Sequence, residues 1–427
     1  MDIALRPDLV FTGLFVFFLL AMVALKFWLA RRQMRYVAAH AAAVPSQFAE
    51  RISLQAHQRA AEYTIAKQRF GLLETLVGAG VLLGLTLLGG LQAIANLLDA
   101  WFGHGFVFQL AIVAVVGVLM GIIDLPFTWY RQFRIEQKFG FNRMTLRLFL
   151  ADLVKSTVLA ALLGLPLLAV VLWLMQQAGT WWWVYAWLVW IGFNALVLVL
   201  YPTVIAPLFN RFEPLADGAL LERIRALLDR TGFSSRGVFV MDGSRRSSHG
   251  NAYFTGLGRS KRVVFFDTLI QRLQPPEIEA VLAHELGHFK LRHITKRLVF
   301  SVMLSLAVLA LLGWLAQQPW FYVGLGVMPS LEARNDGIAL LLFFLVLPVF
   351  TFVFAPLASI FSRKHEFEAD AFAARHASAA DLANALVKLY EDNASTLTPD
   401  PVHSAFYDSH PPAAIRIQRL RESPAAA

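Results

Sequence analysis

The sequence predicts a multi-pass α-helical membrane protein that carries a small α+β domain at one membrane surface. Three observations lead to this fold class. The 427 residues are 57% hydrophobic and only 16% charged, with a mean hydropathy of +0.57, which is too apolar for an ordinary water-soluble protein. Seven apolar runs are long enough to cross a bilayer as helices. One long polar segment, residues 210–297, contains short runs typical of strands.

The seven predicted spans fall into two groups, five before the polar segment and two after it. The first span follows only eight residues and lacks both a basic leader and a small-residue cleavage site, so we expect a retained span and not a signal peptide. The spans are predicted at Leu9 to Trp28, Leu76 to Leu98, Phe106 to Trp129, Thr157 to Met175, Trp181 to Leu200, Leu298 to Ala316 and Ile338 to Phe361.

Basic side chains predict how the spans are oriented. The loops after spans one and three are rich in Arg and Lys, whereas the loops after spans two and four contain neither, and the loop after span six contains only Arg334. Because basic loops stay in the cytoplasm, the polar segment and the C-terminus are predicted to be cytoplasmic. The N-terminus is predicted to lie on the opposite side.

The chain is predicted to have four consecutive parts. Residues 210–297 form the main cytoplasmic domain. Their pattern predicts an amphipathic helix ended by Gly232, three short strands with turns at Gly243 and at Gly258 to Ser260, and a final helix. The other parts are residues 1–209 with spans one to five and their cytoplasmic loops, residues 298–361 with spans six and seven, and residues 362–427, a cytoplasmic helical part.

The final helix of this domain contains the most informative motif, HELGH, from His284 to His288. Two histidines four residues apart project from one face of a helix, so their imidazoles can hold one zinc ion. Glu285 lies one step round the helix, where it can take a proton from a water molecule activated at that site. Pro275 and Pro276 mark the helix start, and apolar residues on both sides of the motif predict a half-buried helix.

A catalytic zinc needs a third protein ligand, and the best candidate is Glu366 in the sequence SRKHEFEADAFAARHA. Spans six and seven separate it from HELGH, so the chain crosses the membrane and returns to the same side. Asp370, one turn later, is predicted to orient a ligand histidine. His293 misses the spacing of the HExxHxxGxxH pattern and is expected to be a surface residue. His365 and His376 remain rival ligands.

Two segments are predicted to contact substrate. The strand of Asn251, Ala252, Tyr253 and Phe254 precedes the motif helix, and an exposed edge strand there can pair with an extended peptide. In SHPPAAIR, His410 and Arg416 can stabilise an oxyanion or bind a peptide carbonyl or carboxylate. An ordinary edge strand and a surface Arg at a helix start are the structural alternatives.

The formal net charge of +9 and the isoelectric point near 9.9 invite a comparison with nucleic-acid-binding proteins. No nucleic-acid motif accompanies this charge, and the excess fits cytoplasmic loops that face anionic membrane lipid. We therefore expect membrane lipid and no nucleic acid among the partners. The chain has no cysteine, which excludes disulfides, thiolate metal ligands and cysteine nucleophiles.

Six segments spread along the chain carry a family resemblance: KFGFNRMTLRLFLADLVK, YPTVIAPLFNRFEPL, GNAYFTGLGRSKRVVFFDTL, VLAHELGHFK, KHEFEADAFA and SHPPAAIR. In these segments the chain resembles the integral-membrane CAAX prenyl protease 1 family, the zinc type I CAAX endopeptidases. The resemblance implies seven helices around a large intramembrane chamber, capped by a cytoplasmic, zincin-like metalloprotease domain. It implies zinc on His284, His288 and Glu366, with Glu285 as general base. It also suggests that the Asn251 strand, His410 and Arg416 contact substrate.

The predicted function is zinc-dependent endoproteolysis with one Zn²⁺ per chain, near the C-terminus of prenylated CAAX-type substrates or of membrane-associated proteins. One alternative is a broad quality-control protease without lipid preference. Another is a transporter or channel with structural zinc, which Glu285 disfavours because a structural site needs no general base. The compact loops and Ala-rich composition resemble bacterial members, so we expect a bacterial inner-membrane protein with a periplasmic N-terminus, or an endoplasmic reticulum protein if the source is eukaryotic.

Overall fold

The structure, a computed structural model, describes residues 6–255 and 262–422. Within these residues, seven helical segments are long and apolar enough to cross a membrane, and one small sheet lies outside them. The predicted fold class is thereby confirmed. The predicted turn at Gly258 to Ser260 lies outside the described residues. The seven segments are Pro7–His40, Leu54–Leu85, Phe106–Glu136, Leu146–Gln177, Gly179–Phe209, His293–Leu315 and Asp336–His376.

Within residues 6–209 the named elements are all helices. The longer helices carry apolar side chains on all faces, as expected for helices surrounded by lipid and by one another. The helices are α1 Pro7–Ala39, α2 Leu54–Leu85, α3 Gly90–Phe102, α4 Phe106–Tyr130, α5 Leu146–Gln177, α6 Trp182–Leu200 and α7 Ala206–Phe209.

The second membrane-crossing helix lies earlier in the chain than predicted. The apolar run indicated a span from Leu76 to Leu98, but α2 ends at Leu85 and a separate helix, α3, starts at Gly90. Gly89 adopts a left-handed conformation with φ of 81°, which ends helical geometry inside that run. The start of α2 is capped instead by the Ser53 hydroxyl, and charged residues in the first turns lower the hydropathy of this part of the helix.

The polar segment folds into the predicted mixture of helices and strands. The amphipathic helix, the three strands and the HELGH helix all lie where the sequence pattern indicated. One further strand, β1, was not predicted, because it is only three residues long, contains a proline and shows no alternating pattern. The elements are β1 Phe212–Pro214, α8 Ala219–Arg230, β2 Val238–Met241, β3 Ala252–Thr255, β4 Arg262–Phe266, α9 Asp267–Arg272 and α10 Pro275–Lys290.

The four described strands form one sheet in the order β1-β2-β4-β3. β2 and β4 run parallel, and the pairs β1–β2 and β3–β4 are antiparallel. In the β3–β4 pair, Ala252 lies opposite Phe265 and Phe254 lies opposite Val263. β3 is therefore the outermost strand on its side, and its outer edge pairs with no other described strand.

The C-terminal part returns to the membrane twice and then ends in short helices. α13 and α14 are joined by a single tight turn at Phe352–Phe354, so one nearly continuous helical rod runs from the membrane to the HELGH helix. The predicted division between residues 361 and 362 falls inside α14. The helices are α11 His293–Leu315, α12 Pro319–Val323, α13 Asp336–Thr351, α14 Ala355–His376, α15 Ala379–Asp392, α16 Pro401–Tyr407 and α17 Ala413–Arg421.

The HELGH helix, α10, is the centre of the domain core and packs against α8, α14 and α15. Its Ile278, Leu282 and Leu286 side chains are fully buried. On the face toward α14, a Cβ atom added at Gly287 would lie only 3.0 Å from the Cα atom of Ala369. The missing side chain at Gly287 therefore permits the close approach of α10 and α14.

Candidate metal centre

The two motif histidines lie on one face of α10 and direct the same ring nitrogen toward each other. The Nε2 atoms of His284 and His288 are 3.2 Å apart. The start of the helix is fixed by Gln274, whose backbone amide donates a 2.7 Å hydrogen bond to the Glu277 carboxylate. His284 is buried and His288 is half-buried, so the pair lies at the edge of the core.

The carboxylate of Glu366 on α14 completes a group of three possible ligands. One carboxylate oxygen, Oε2, lies 3.4 Å from Nε2 of His284, and the other, Oε1, lies 3.2 Å from Nε2 of His288. All three side chains are close enough to share one metal ion. α11 and α13 pass between the two ligand helices in sequence, as the out-and-back interpretation of spans six and seven expects.

These separations suit one small metal ion. Zinc lies about 2.0–2.2 Å from nitrogen and oxygen ligands in a tetrahedron, which places ligand atoms about 3.3 Å apart. The Oε2 atom of Glu366 is also buried without a hydrogen bond, although Nδ1 of His410 lies 2.7 Å away and Nη1 of Arg416 lies 3.6 Å away. A buried carboxylate oxygen without a donor is costly unless a cation lies beside it.

The electrostatics of the site favour a positive charge among these side chains. Burial lowers the pKa of His284, but contacts with the carboxylates of Asp370 and Glu366 outweigh burial and raise that pKa to about 9. A divalent metal ion would supply the same charge. The donor set, the spacing and the charge therefore all fit a metal ion held by two histidines and a glutamate.

Asp370 lies behind His284 and is itself held by Arg416. The Nδ1 atom of His284 is 2.8 Å from Asp370 Oδ1. Arg416 donates to both Asp370 oxygens, from Nε at 2.8 Å and from Nη2 at 2.6 Å. Arg416 is only 5% exposed, so most of its guanidinium is engaged by protein groups. The sequence indicated both residues but not this pairing, because the two helices that carry them are distant in sequence.

His410 and Glu285 are the two further candidate residues next to the ligand group, one through a contact with Glu366 and one through its position in the motif. The His410 side chain is 60% exposed, and its Nδ1 atom contacts Glu366. Glu285, between His284 and Leu286 on α10, is half-buried and lies outside the three-residue ligand group. Both positions are compatible with the predicted contacts to water or substrate, and those roles stay predictions.

The predicted substrate strand is the edge strand β3. The carbonyl of Asn251 accepts a hydrogen bond from the Phe266 amide, so Asn251 faces β4 and the backbone groups of Ala252 and Phe254 face outward. The Ala252 amide donates to the side-chain oxygen of Asn251 at 2.8 Å. Tyr253 is half-buried beside Phe266.

The prediction that His293 is a surface residue is wrong. His293 is only 1% exposed, because the chain turns sharply between α10 and α11 and folds this side chain back against His288. The Nε2 atom of His293 lies 2.8 Å from Oε2 of Glu368. The signal for this contact in the sequence is the spacing HELGHFKLRH, which does not fit a zinc-ligand pattern but does allow a histidine to contact a ligand histidine.

The two rival ligands lie apart from the three-residue group. His365 stacks on His293, with ring centroids 4.0 Å apart. His376 lies at the end of α14, where its Nδ1 atom is 3.0 Å from the Phe372 carbonyl and its ring stacks on that of Phe372.

An apolar cavity of about 960 Å³ lies among the membrane helices α4, α5, α6, α11 and α13. Leucine and valine side chains dominate its wall, and Asn194, Ser301 and Ser305 are its polar members. A cavity of this size exceeds the space left by ordinary helix packing.

The fold and this site define a class of protein, the integral-membrane metallopeptidases. Residues 33–211 match the family described as CAAX prenyl protease N-terminal, five membrane helices, and residues 214–423 match Peptidase family M48. The chain belongs to the CAAX prenyl protease 1 family of M48 peptidases, and the resemblance noted in the sequence is confirmed.

Relatives from several kingdoms support this membership. CAAX prenyl protease 1 homolog of Arabidopsis thaliana is 40% identical over 73% of this chain and 72% of its own length. CAAX prenyl protease 1 of Saccharomyces cerevisiae is 36% identical over 73% and 72%. The Homo sapiens homolog is 30% identical over 92% of each chain. The crystal structure of S. mikatae Ste24p matches with a TM-score of 0.89 at 30% identity, covering 98% of this chain and 99% of that one.

The chain is therefore a multi-pass membrane metalloendopeptidase that acts on peptide or protein substrates. Its family implies a metal ion, and the structure contains side chains that could hold one.

Proposed function

We propose that His284, His288 and Glu366 hold one zinc ion per chain, and that Glu285 is the general base of peptide-bond hydrolysis. The observation that carries this proposal is the 3.2–3.4 Å spacing of the three side chains. Two histidines with one glutamate are a donor set of catalytic zinc sites, which leave a further position open. The half-buried position of Glu285 on the same helix supports its role.

Side chains of the protein would transfer the protons, orient the ligands and contact the carbonyl oxygen. Zinc, when bound, supplies Lewis-acid chemistry that polarises a carbonyl group and lowers the pKa of water. Glu285 accepts the proton of the attacking water and passes it to the leaving amine. Asp370 keeps the proton of His284 on Nδ1, so that Nε2 is free to bind. His410, exposed at the rim, donates to the carbonyl oxygen as negative charge develops there.

Substrate would bind as an extra strand on β3. The outward amide and carbonyl groups of Ala252 and Phe254 can pair with an extended peptide, and such pairing accepts many side chains. Asn251 would release the Ala252 amide to the substrate by turning its side chain away. Arg416 would act mainly through Asp370, with a direct substrate contact as the second role.

The substrate class would be the C-terminal region of prenylated CAAX-type proteins, or of other membrane-associated proteins. The names of the relatives, CAAX prenyl protease 1, support the first class. The apolar cavity of about 960 Å³ among the membrane helices supports a lipid chain as part of the ligand. Loose pairing on β3 favours the second class, a broad quality-control protease.

The proposed setting is a bacterial inner membrane with a periplasmic N-terminus and a cytoplasmic active site. Basic loops between the membrane helices support this orientation. In the same proposal, residues 210–297 are the main cytoplasmic domain, and residues 362–427 complete the site from the C-terminal side.

Metal content tests the ligand set, and a matched peptide pair tests the substrate class. His284→Ala, His288→Ala and Glu366→Ala should each lose most zinc, while His365→Ala keeps one zinc per chain. If Glu366→Ala keeps full zinc while His365→Ala loses it, the third ligand is His365 and not Glu366. Equal kcat/KM for a farnesylated peptide and its unmodified twin would favour quality control over lipid recognition.

A further inference from the structure

We propose that His293 and Glu368 are positioning residues for the ligand histidine His288. The Nδ1 atoms of His288 and His293 are 3.1 Å apart, and Nε2 of His293 lies 2.8 Å from Oε2 of Glu368. The three side chains thus form one continuous line that leads away from the metal centre. This inference rests on the proposed role of His288 as a metal ligand.

The placement of protons along this line is fixed by the chemistry of neutral imidazole, which has one N–H group and one free nitrogen. A metal on Nε2 of His288 forces the proton of that ring onto Nδ1. The Nδ1 atom of His293 must then accept this hydrogen bond, which leaves the His293 proton on Nε2. That proton is donated to the Glu368 carboxylate. Every nitrogen in the line has one role and none is left unpaired.

The two ligand histidines would therefore both be oriented by carboxylates of α14, by different routes. His284 reaches Asp370 directly at 2.8 Å, whereas His288 reaches Glu368 through His293. A hydrogen bond from the distal N–H of a ligand histidine fixes its ring and makes the free nitrogen more basic. The structure assigns that task to a buried histidine, and buried polar groups of this kind are expensive unless they are fully paired.

The backbone supports the same assignment. α10 ends at Lys290 and α11 starts at His293, so only Leu291 and Arg292 connect the two helices. Arg292 adopts a left-handed conformation with φ of 58° and ψ of 29°, which residues other than glycine rarely adopt. This turn brings the first side chain of α11 against the ligand histidine, five residues before it in the chain.

A second metal ion is the competing explanation, because His293, His365 and Glu368 also lie close enough to share one. The rings of His293 and His365 are stacked with centroids 4.0 Å apart and planes only 11° from parallel. The lone pair of an imidazole nitrogen lies in the ring plane, so two stacked rings direct their lone pairs along separate, parallel planes. The stacking therefore favours a role for His365 in supporting the His293 ring, and it disfavours a metal ion bound by both rings.

The test compares zinc affinity in full-length protein, measured by competition with a chromogenic chelator. His293→Leu should lower the affinity about 10- to 100-fold, as expected for loss of a group that orients a ligand. His293→Gln should restore it to near the wild-type value, because the amide oxygen can accept from His288 while the amide nitrogen donates to Glu368. His376→Leu is the matched control and should bind zinc normally, since His376 does not contact the ligand group.

Glu368 provides a second route if His293→Leu does not fold. Its side chain is 37% exposed, so substitutions there should be tolerated. Glu368→Ala should weaken zinc binding, Glu368→Gln should not, and the Ala effect should vanish when His293 is already Leu. The visible spectrum of the Co²⁺-substituted protein should change in His293→Leu and recover in His293→Gln.

Three outcomes would overturn the inference. Zinc affinity in His293→Leu equal to wild type, beside loss of zinc in His288→Ala, would remove the positioning role and leave the proposed metal site intact. Two zinc ions per wild-type chain, with one lost in His365→Ala, would establish the second metal site instead. Normal zinc binding in His288→Ala would remove both the inference and the ligand set on which it rests.

Discussion

The Nε2 atom of His288 lies 3.2 Å from Oε1 of Glu366, although α11 and α13 cross the membrane between the helices that carry them. The two side chains meet because α14 continues α13 beyond the membrane and packs along α10. The proposed metal centre is therefore assembled from the domain of residues 210–297 and the end of a membrane helix, and neither part contains all three candidate ligands. Disturbing the contact between α10 and α14 should disturb metal binding.

Gly287→Ala should weaken metal binding without changing any ligand. The added Cβ atom would lie 3.0 Å from Ala369 Cα and 3.2 Å from the Ala369 carbonyl oxygen, which are backbone atoms that move only if α14 moves. Overpacking of this kind costs about 1–3 kcal/mol. We expect a lower melting temperature and a weaker zinc affinity, measured by thermal unfolding and chelator competition.

Gly80→Ala is the matched control for this substitution. Gly80 is exposed inside α2, and a Cβ atom there would contact nothing within 4 Å. Alanine favours a helix over glycine by up to about 1 kcal/mol, so stability should be unchanged or slightly higher. Equal zinc affinity in Gly287→Ala and Gly80→Ala would show that the approach of α10 to α14 does not control the site.

Arg416→Ala should destabilise the protein as well as the metal site. The guanidinium of Arg416 is bound to both oxygens of Asp370, and removing it leaves a buried carboxylate without its partner. Breaking a buried ion pair in this way costs about 3–5 kcal/mol. Unfolding temperature and zinc affinity should both fall. A lower kcat with stability and zinc unchanged would instead place Arg416 on the substrate.

Ala252→Pro should impair peptide cleavage while leaving zinc in place. Proline removes the amide hydrogen that faces the outer edge of β3. The hydrogen bonds between β3 and β4 are kept, because they are made by the neighbouring residues and not by Ala252. Ala252→Ser keeps the amide and should cleave normally. Normal kcat/KM in a correctly folded Ala252→Pro protein would exclude strand pairing through this amide.

Single-cysteine labelling should establish the orientation, because the chain contains no cysteine of its own. Cysteines in place of Arg35 and Arg134 should be protected from a membrane-impermeant maleimide added outside intact cells, and cysteines in place of Gly103, Gly179 and Glu332 should be labelled. Protection of the Glu332 position would contradict the proposed topology, because α11 and α13 would then no longer form an out-and-back pair.

The local features of the site were predictable from short-range patterns. The HELGH helix, its start at Pro275, and the strands that became β2, β3 and β4 all follow from residue spacing and turn residues within a few positions. The approach of Glu366 to the histidines was also inferred, because counting membrane crossings places both helices on one side. The number of spans can be counted from hydropathy without any knowledge of side-chain packing.

The features that were not predictable depend on packing between distant segments. The pairing of Asp370 with Arg416 joins α14 to α17, and no pattern within either helix encodes it. The burial of His293 depends on a left-handed turn at Arg292, a conformation that the residue type does not suggest. The second span was predicted too late in the chain, because hydropathy measures composition and does not detect a helix break at Gly89 inside an apolar run.

The proposed chemistry is tested most directly by Glu285→Gln, with zinc content and peptide cleavage measured on the same preparation. Glutamine has nearly the same size as glutamate but cannot take the proton from water, and Glu285 lies outside the three-residue ligand group. We predict close to one zinc per chain and a loss of kcat on the order of 10²–10⁴-fold. Near-wild-type cleavage by the zinc-loaded Glu285→Gln protein would contradict the assignment of Glu285 as the general base.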